Sequence, residues 1–365
     1  MRVAMVGTRG LPALAGGAEH VVEELARELT SLGHEVIVYS RKNYVAGESA
    51  PTFARRIITP GFGGKHLDAF THTATAMLDL LGRSVDLVHV HSPGPALMSW
   101  LPALAGIPVV FTIHAPDWKR AKWSAPARIF IKSGLRMGLS AASAVTCVSE
   151  PLARELSLRY SREITYIPNA VRPRESTDTE LEKWGLCRDG YALNVARIEK
   201  EKCLDLLLSA WNELNADIPL VVVGDWRKNS FGRRCKVLAG NNVIFPGAVY
   251  GEKLAQLYLN ARVVVLPSVL EGMSLVLLEA ASHSRCILAA DIDANRAVMG
   301  DSILYYKQSD FADLKLQMVR AIADSSIRSR MGESARRAAR RYEWSTVARQ
   351  YERAYLKVVQ SQVRI

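Results

Sequence analysis

Short β-branched runs alternate with amphipathic helical stretches along this chain, and the alternation occurs twice with a break between. In the first half, residues 3–6, 35–39, 85–90, 109–113 and 144–148 read as strands. Residues 19–32 read as a helix, with Val21, Val22, Leu25, Leu29 and Leu32 at helical spacing and Gly33 as its stop. The runs at 85–90 and 109–113 are apolar on both faces, as parallel strands are when helices cover them from either side. Strands alternating with helices in this way imply a doubly wound α/β sheet.

The pattern breaks at Ile167-Pro168-Asn169-Ala170 and runs on through Val171-Arg172-Pro173-Arg174 into a polar stretch. It restarts with strands at 192–195, 220–223, 243–245, 263–266 and 286–289, and helices at 203–215, 252–260 and 274–284. The 365 residues therefore divide into a first Rossmann-like domain over 1–170, a linker over 171–185 and a second Rossmann-like domain over 186–342. The segment 325–359 reads as helical with a break near Tyr342-Glu343-Trp344, so 343–365 forms a last helix that returns to the first domain. Two such sheets make a two-lobed molecule with a cleft, where ligands bind beyond the carboxyl ends of the strands.

Forty-seven basic against 36 acidic residues give a net charge of +11, which favours an anionic partner: a nucleotide, an anionic lipid or a nucleic acid. The excess is spread over both halves, with 18 basic and 13 acidic groups in 1–170 and 29 and 23 in the rest. That even spread argues against a dedicated nucleic-acid arm. Five cysteines with no CxxC pair exclude a zinc ribbon or disulfide framework and fit a reducing compartment. No apolar run reaches the roughly 18 residues that span a bilayer, and no secretory leader is recognisable. These features place the protein in the cytoplasm, with a peripheral position on the inner face of the cell membrane still open.

The most informative stretch is Leu266-Pro267-Ser268-Val269-Leu270-Glu271-Gly272-Met273-Ser274-Leu275-Val276-Leu277-Leu278-Glu279-Ala280. A buried strand ends at Leu266, a loop carries Glu271 and Gly272, and Ser274 is placed to cap the helix that follows. The N–H groups and positive end of such a helix attract an anion, and Gly272 lets it approach the backbone. Glu279, in the second turn, can accept hydrogen bonds from hydroxyls at the same mouth. A phosphate-ready terminus between two carboxylates suits a sugar nucleotide; an ordinary strand–loop–helix with solvated glutamates fits the same letters.

A second signal, Asn194-Val195-Ala196-Arg197-Ile198-Glu199-Lys200-Glu201-Lys202, follows the first strand of the second domain. Arg197 offers a rigid fork and Lys202 a mobile point charge, and together they could neutralise a departing pyrophosphate. Pairing of these cations with Glu199 and Glu201 on a charged surface loop is the alternative.

These residues resemble the retaining GT-B glycosyltransferases of family 4, also called glycosyl transferases group 1. Glu271 and Glu279 match the family's Glu-x7-Glu motif, and Arg197 and Lys202 its Arg-x4-Lys motif. Gly16-Gly17 match its Gly-Gly loop, and Pro168-Asn169-Ala170-Val171 its linker signature. The resemblance runs over nearly the whole chain in the expected order. Within the family, the stretches around His114-Ala115-Pro116-Asp117 and Asp291-Ile292-Asp293 resemble bacterial enzymes of surface-polysaccharide assembly.

The resemblance implies a nucleoside diphosphate sugar as donor and a glycan or lipid-linked glycan as acceptor, with neither metal nor cofactor. It puts Arg197 and Lys202 on the donor diphosphate, Glu271 near donor-sugar hydroxyls and Glu279 on the ribose. Backbone amides of Gly272, Met273, Ser274 and Leu275 meet sugar and phosphates, and Gly16-Gly17 bring the first domain's loop to the diphosphate. His114 stands beside the reacting sugar, and backbone near Val249 meets the base. Three positions depart from the family pattern: Cys203 and Ala170 replace usual glycines, and Trp226 follows Gly224-Asp225 where a second glycine is common.

His89 and His91 alternate on one strand and read as structural. Lys119, Arg120, Lys122, Arg128, Lys132 and Arg136 lie between Asp117 and Glu150 without an acid among them, interleaved with Trp118, Trp123 and 129–131. Lys119, Arg120 and Lys122 thus head a candidate patch for an anionic membrane surface or acceptor, a solvated basic helix being the plainer reading. Two rivals remain at this level. An NADP oxidoreductase is weakened because a dinucleotide fingerprint starting at Gly7 would need glycines where Arg9 and Pro12 stand. A non-catalytic basic nucleotide- or nucleic-acid-binding protein would show affinity without turnover.

Overall fold

The computed structural model describes residues 1–62, 64–173 and 178–363. Two compact units emerge: Met1–Lys119 with Trp123–Ala170 and Trp344–Ile365, and Arg120–Lys122 with Val171–Glu343. Of the 171–185 segment, 174–177 lie outside the described residues, and Asp178–Trp184 form a 3-10 helix.

The first unit is built on β1 (Arg2–Val6), β2 (Glu35–Arg41), β3 (Arg55–Thr59), β4 (Leu87–His91), β5 (Val109–Ile113), β6 (Ala144–Cys147) and β7 (Thr165–Tyr166). All pair in parallel, in the order β3-β2-β1-β4-β5-β6-β7. The order reverses between β1 and β4, and ligands of open α/β sheets bind at such a point. Every residue of β4 and β5 is buried, as expected of central strands covered on both faces. Helix Gly17–Ser31 turns Val21, Val22, Leu25, Ala26 and Leu29 inward, and Gly33, at φ 88°, ends it. Leu25 is fully buried, and its truncation to alanine would cost about 2–5 kcal/mol.

The second unit is built on β8 (Ala192–Val195), β9 (Leu220–Val223), β10 (Val243–Gly247), β11 (Val263–Leu266), β12 (Ile287–Ala290) and β13 (Leu304–Tyr306). These too are all parallel, in the order β10-β9-β8-β11-β12-β13. Its core gathers Val222, Val265, Leu207, Trp211, Leu288 and Tyr306.

Three strands go beyond the sequence expectation: β3, β7 and β13. The alternation also misplaced one boundary that matters: β4 begins two residues later than expected and extends one residue further, ending on His91. The C-terminal stretch forms helices Ser325–Ala339 and Trp344–Val363, the second packed within the first unit, where Tyr351 and Tyr355 are buried.

Candidate active site

Because all strands of the second sheet are parallel, their carboxyl ends share one edge, and neighbouring strands deliver neighbouring loops. In order these are the loops after β10 (248–250), β9 (224–229), β8 (196–203) and β11 (267–274). The switch point falls between β8 and β11, so the Arg197–Lys202 and Glu271–Ser274 loops flank it. The two are tied together: the Val269 amide donates to the Glu201 carbonyl at 3.0 Å, and Lys202 Nζ donates to Glu271 Oε1 at 2.5 Å. Lys202 and Glu271 are only 17% and 11% exposed, so neither side chain wanders.

Ser274 caps helix Leu275–Ser282, its hydroxyl accepting from the Leu277 amide at 3.4 Å. Gly272, Met273 and Ser274 are buried and Leu275 is half-buried. Glu279 lies one turn further on, and its charge, after burial, pushes the buried Tyr258 phenol well above its usual pKa. Val249 is buried between the exposed Ala248 and Tyr250. Gly224 holds the β9 loop against the β8 loop: at φ 157° a Cβ there would stand 2.3 Å from the Ala196 carbonyl oxygen. Cys203 takes the left-handed conformation, φ 48° and ψ 39°, which explains why glycine is usual at this position.

Arg197 is exposed at the same edge. Burial alone would raise the Glu199 carboxyl, yet the Arg197 and Lys122 cations hold it at about 2. Here the structure revises the proposed cationic patch. Residues Arg120–Lys122 cluster with the second unit, with Lys122 Nζ 3.1 Å from Glu199 Oε1 and Arg120 Nη1 3.6 Å from Glu201 Oε1. Lys119 Nζ lies 3.6 Å from Glu155 Oε2. The sequence gap without acids is filled in space by carboxylates from other segments. Trp118 and Ile131 are buried in the first core, and Trp123 packs against it. The outward-facing residues of helix Ala125–Ala141 instead include Arg128, Ile129, Phe130, Lys132 and Arg136, with Ile129 65% exposed.

In the first unit, Gly16 opens helix Gly17–Ser31 at φ 99°, and a Cβ on it would stand 2.2 Å from Glu19 Oε2. Glu19 is buried, and Arg9 holds its carboxyl below the usual range against the opposing effect of burial, with Arg9 Nε 2.8 Å from Glu19 Oε1. Arg9 also donates to the Ala15 carbonyl, bracing the loop from within. Neither residue was picked out as a site residue from sequence. Gly17 is exposed in the first helical turn.

His114 follows the last residue of β5 and stands beside His91, the last residue of the adjacent β4. His91 Nδ1 and His114 Nε2 are 3.1 Å apart. Burial depresses the His114 imidazole to about 4, despite the opposing charges of Asp117 and Glu19. His114 is therefore neutral at physiological pH. Among the described residues no group of three His, Cys, Asp or Glu is placed to hold a metal ion. No helix among them is long and apolar enough to cross a membrane.

Two parallel-sheet Rossmann-like units, with charged loops gathered at the carboxyl edge of the second, define the GT-B class. Comparison with known proteins agrees. The family model described as Glycosyltransferase Family 4 matches residues 15–175, and that described as Glycosyl transferases group 1 matches 177–338. The chain belongs to the group 1 glycosyltransferases. It is 26% identical to the phosphatidyl-myo-inositol mannosyltransferase of Mycobacterium leprae, over 99% of this chain and 98% of that one. It is likewise 26% identical to the alpha-maltose-1-phosphate synthase of Mycobacterium tuberculosis, over 98% of this chain and all of the other. Among solved structures, sucrose-phosphate synthase from Thermosynechococcus elongatus shares the fold with a TM-score of 0.83 at 20% identity, each chain covered to 99%. Anabaena HepE in complex with UDP and glucose does so with a TM-score of 0.80 at 15% identity, covering 98% of this chain and 100% of that one. Membership of this family takes the place of the oxidoreductase and basic-binding-protein readings.

Proposed function

We propose that this glycosyltransferase moves a sugar from a nucleoside diphosphate donor to a hydroxyl acceptor with retention at the anomeric carbon. The reading rests above all on the two cations of the β8 loop, Arg197 and Lys202. Their loop neighbours the one that leads into the capped helix Leu275–Ser282, and Glu271 fixes Lys202 at 2.5 Å. This is a preorganised site for a doubly charged leaving group, which lowers the barrier where negative charge develops on the diphosphate. Arg197 and Lys202 supply that charge themselves, so the reaction as proposed calls on neither a metal nor a cofactor.

Glu271 serves donor-sugar hydroxyls as well as Lys202, Glu279 takes the ribose, and the amides of Gly272 to Leu275 take sugar and phosphate oxygens. Backbone at Val249 takes the base. In the first unit, Gly16 and Gly17 serve the diphosphate and His114 the transferred sugar. Among the described residues no carboxylate stands out as a nucleophile, and the reading therefore has attack come from the leaving-group face. The acceptor oxygen bonds to the anomeric carbon as the carbon–phosphate oxygen bond breaks, and the acceptor proton passes to the departing phosphate oxygen. Catalysis is then chiefly positioning and charge stabilisation.

The acceptor is a glycan or lipid-linked glycan of bacterial polysaccharide assembly, met on the cytoplasmic side. A lipid-linked acceptor would bring the enzyme to the anionic inner leaflet through the exposed face of helix Ala125–Ala141. Incubation with a panel of nucleotide sugars, scored for slow donor hydrolysis and for the anomer of any transfer product, tests the reading. Retention with one preferred donor supports it; no turnover of any sugar nucleotide, or an inverted product, overturns it.

A further inference from the structure

His89 and His91 occupy alternate positions of β4, so their side chains share one face of the sheet. Both are fully buried, and their ring centroids are 3.9 Å apart. His89 is held at each nitrogen: Tyr355 Oη is 2.7 Å from Nδ1, and Thr112 Oγ1 is 2.6 Å from Nε2. With the phenol donating to Nδ1, His89 carries its own proton at Nε2 and donates a hydrogen bond to Thr112 Oγ1. The Thr112 hydroxyl in turn lies 2.6 Å from that of Thr146. A fixed His89 ring thus forms the floor on which the His91 ring rests.

Among the described residues the His91 ring makes one hydrogen bond, and its second nitrogen sets the direction of that bond. Its Nδ1 is 3.1 Å from His114 Nε2, while its own Nε2 is buried and has no partner. Burial and two neighbouring imidazoles hold His91 well below its usual pKa, so it keeps a single proton. If His114 donated, that proton would sit on Nε2 as a buried N–H without an acceptor. If His91 donates, Nε2 is left as a bare lone pair. Orphaned buried donors are rarer in folded proteins than under-used acceptors, so the second arrangement is favoured. The proton of His114 then resides on Nδ1, the ring nitrogen left to meet a ligand.

The geometry points to His91 as a positioning residue that locks His114 in its neutral Nδ1–H tautomer, so that His114 meets substrate as a hydrogen-bond donor and not as a base. This rests on the proposed role of His114 toward the transferred sugar. The lock itself is a property of the free protein and is measured without substrate. The second nitrogen of an imidazole commonly sets the tautomer of the first.

The test uses the full chain with 15N-labelled histidine, reading ring nitrogens by long-range proton–nitrogen correlation; His114→Gln identifies the His114 resonances. In wild type, His114 should show the Nδ1–H pattern and hold it down to about pH 5. His91→Phe, which keeps a ring of similar shape, should turn His114 to a mixed or Nε2–H pattern. It should also cut kcat for donor hydrolysis about tenfold with little change in KM. His91→Asn, whose amide puts a donor where Nδ1 stood, should restore the pattern and most of kcat. An Nε2–H pattern in wild type, or a His114 pattern untouched in folded His91→Phe, overturns the proposal. If wild type turns over no sugar nucleotide at all, the functional reading fails while the tautomer measurement still decides the lock.

Discussion

Lys202 Nζ and Glu271 Oε1 meet at 2.5 Å, joining the loops that leave two adjacent parallel strands. Lysine has three protons to donate and Glu271 takes one, so the ammonium is aimed without being spent. Removing either partner should therefore disturb the same function. Lys202→Ala should cost roughly 2–4 kcal/mol of transition-state stabilisation, by analogy with losing one preorganised donor. Glu271→Gln should cost less, and the double mutant should fall short of the sum by about 1–3 kcal/mol, as contacting residues do. A double-mutant cycle on kcat/KM for donor hydrolysis reads the coupling; strict additivity would separate the two roles.

Arg197 and Glu279 should split differently between kcat and KM. Arg197→Ala is expected to lower kcat, with a penalty of about 2–4 kcal/mol, because the leaving-group charge it is proposed to meet exists fully only in the transition state. Glu279→Ala should mainly raise the donor KM, since a ribose hydrogen bond is alike in ground and transition states. Steady-state kinetics at saturating and limiting donor check both. A collapsed kcat with unchanged KM in Glu279→Ala would assign that residue to the chemical step.

Cys203 holds a left-handed backbone, φ 48°, that a side chain adopts at a cost of about 1–2 kcal/mol. Glycine relieves that cost and gives part of it back through the entropy of the unfolded chain. Cys203→Gly should raise stability by about 0.5–1 kcal/mol with turnover intact. Urea unfolding monitored by tryptophan fluorescence is the measurement, and a lowered midpoint would show that the thiol's packing outweighs the strain.

Acid should destabilise the fold well before its carboxylates titrate. Burial holds His72, His114 and His283 at about 4, and His89 and His91 well below their usual value. Unfolded imidazoles titrate near 6.5, so between these values the unfolded chain binds more protons than the folded one. The stabilisation from these neutral imidazoles is complete above about pH 6.5 and is lost as pH falls toward 4. Each contributes a slope of up to about 1.4 kcal/mol per pH unit. Melting temperature should be flat from pH 8 to 7 and fall steeply below 6.5; a flat profile down to pH 5 would contradict the buried neutral histidines.

On a membrane, the outward face of helix Ala125–Ala141 should matter and the 119–122 segment should not, because carboxylates already engage the latter. Each cation near an anionic leaflet is worth about 1 kcal/mol. Flotation with phosphatidylglycerol vesicles at low salt should carry wild type but not the Arg128→Ser, Phe130→Ser, Lys132→Ser triple variant. Wild type remaining at the bottom of the gradient would make this a solvated helix.

The central strands, apolar on both faces, were readable: the structure reproduces 109–113 residue for residue and shifts the 85–90 run only to Leu87–His91. The fold was not readable at β3, where Arg55-Arg56 begin a short edge strand, nor at β7, a two-residue pairing at the opposite edge. Edge strands are half solvated and short, so their letters carry little pattern. Arg197, Lys202 and Glu271 could be placed at the sheet edge from sequence because each follows closely on its strand, and Glu279 because it falls in the helix that comes next. What was not legible depends on distant segments meeting. His91 became more than a core histidine only when β4 and β5 came into register. Arg120 and Lys122 looked unopposed because Glu199 and Glu201 lie some 80 positions later in the chain.

The helix Trp344–Val363 supplies Tyr355 to a unit whose sheet is otherwise made by Ala170. On the ribosome, residues 171–343 must be synthesised between the two, at about 5–20 residues per second, so roughly ten to thirty seconds pass. Throughout that interval the nascent first sheet stands without the hydroxyl that holds His89, its histidines packed but unclamped. The segment translated first is thus the one completed last, and in the growing cell this is the window in which proteases and chaperones would find it.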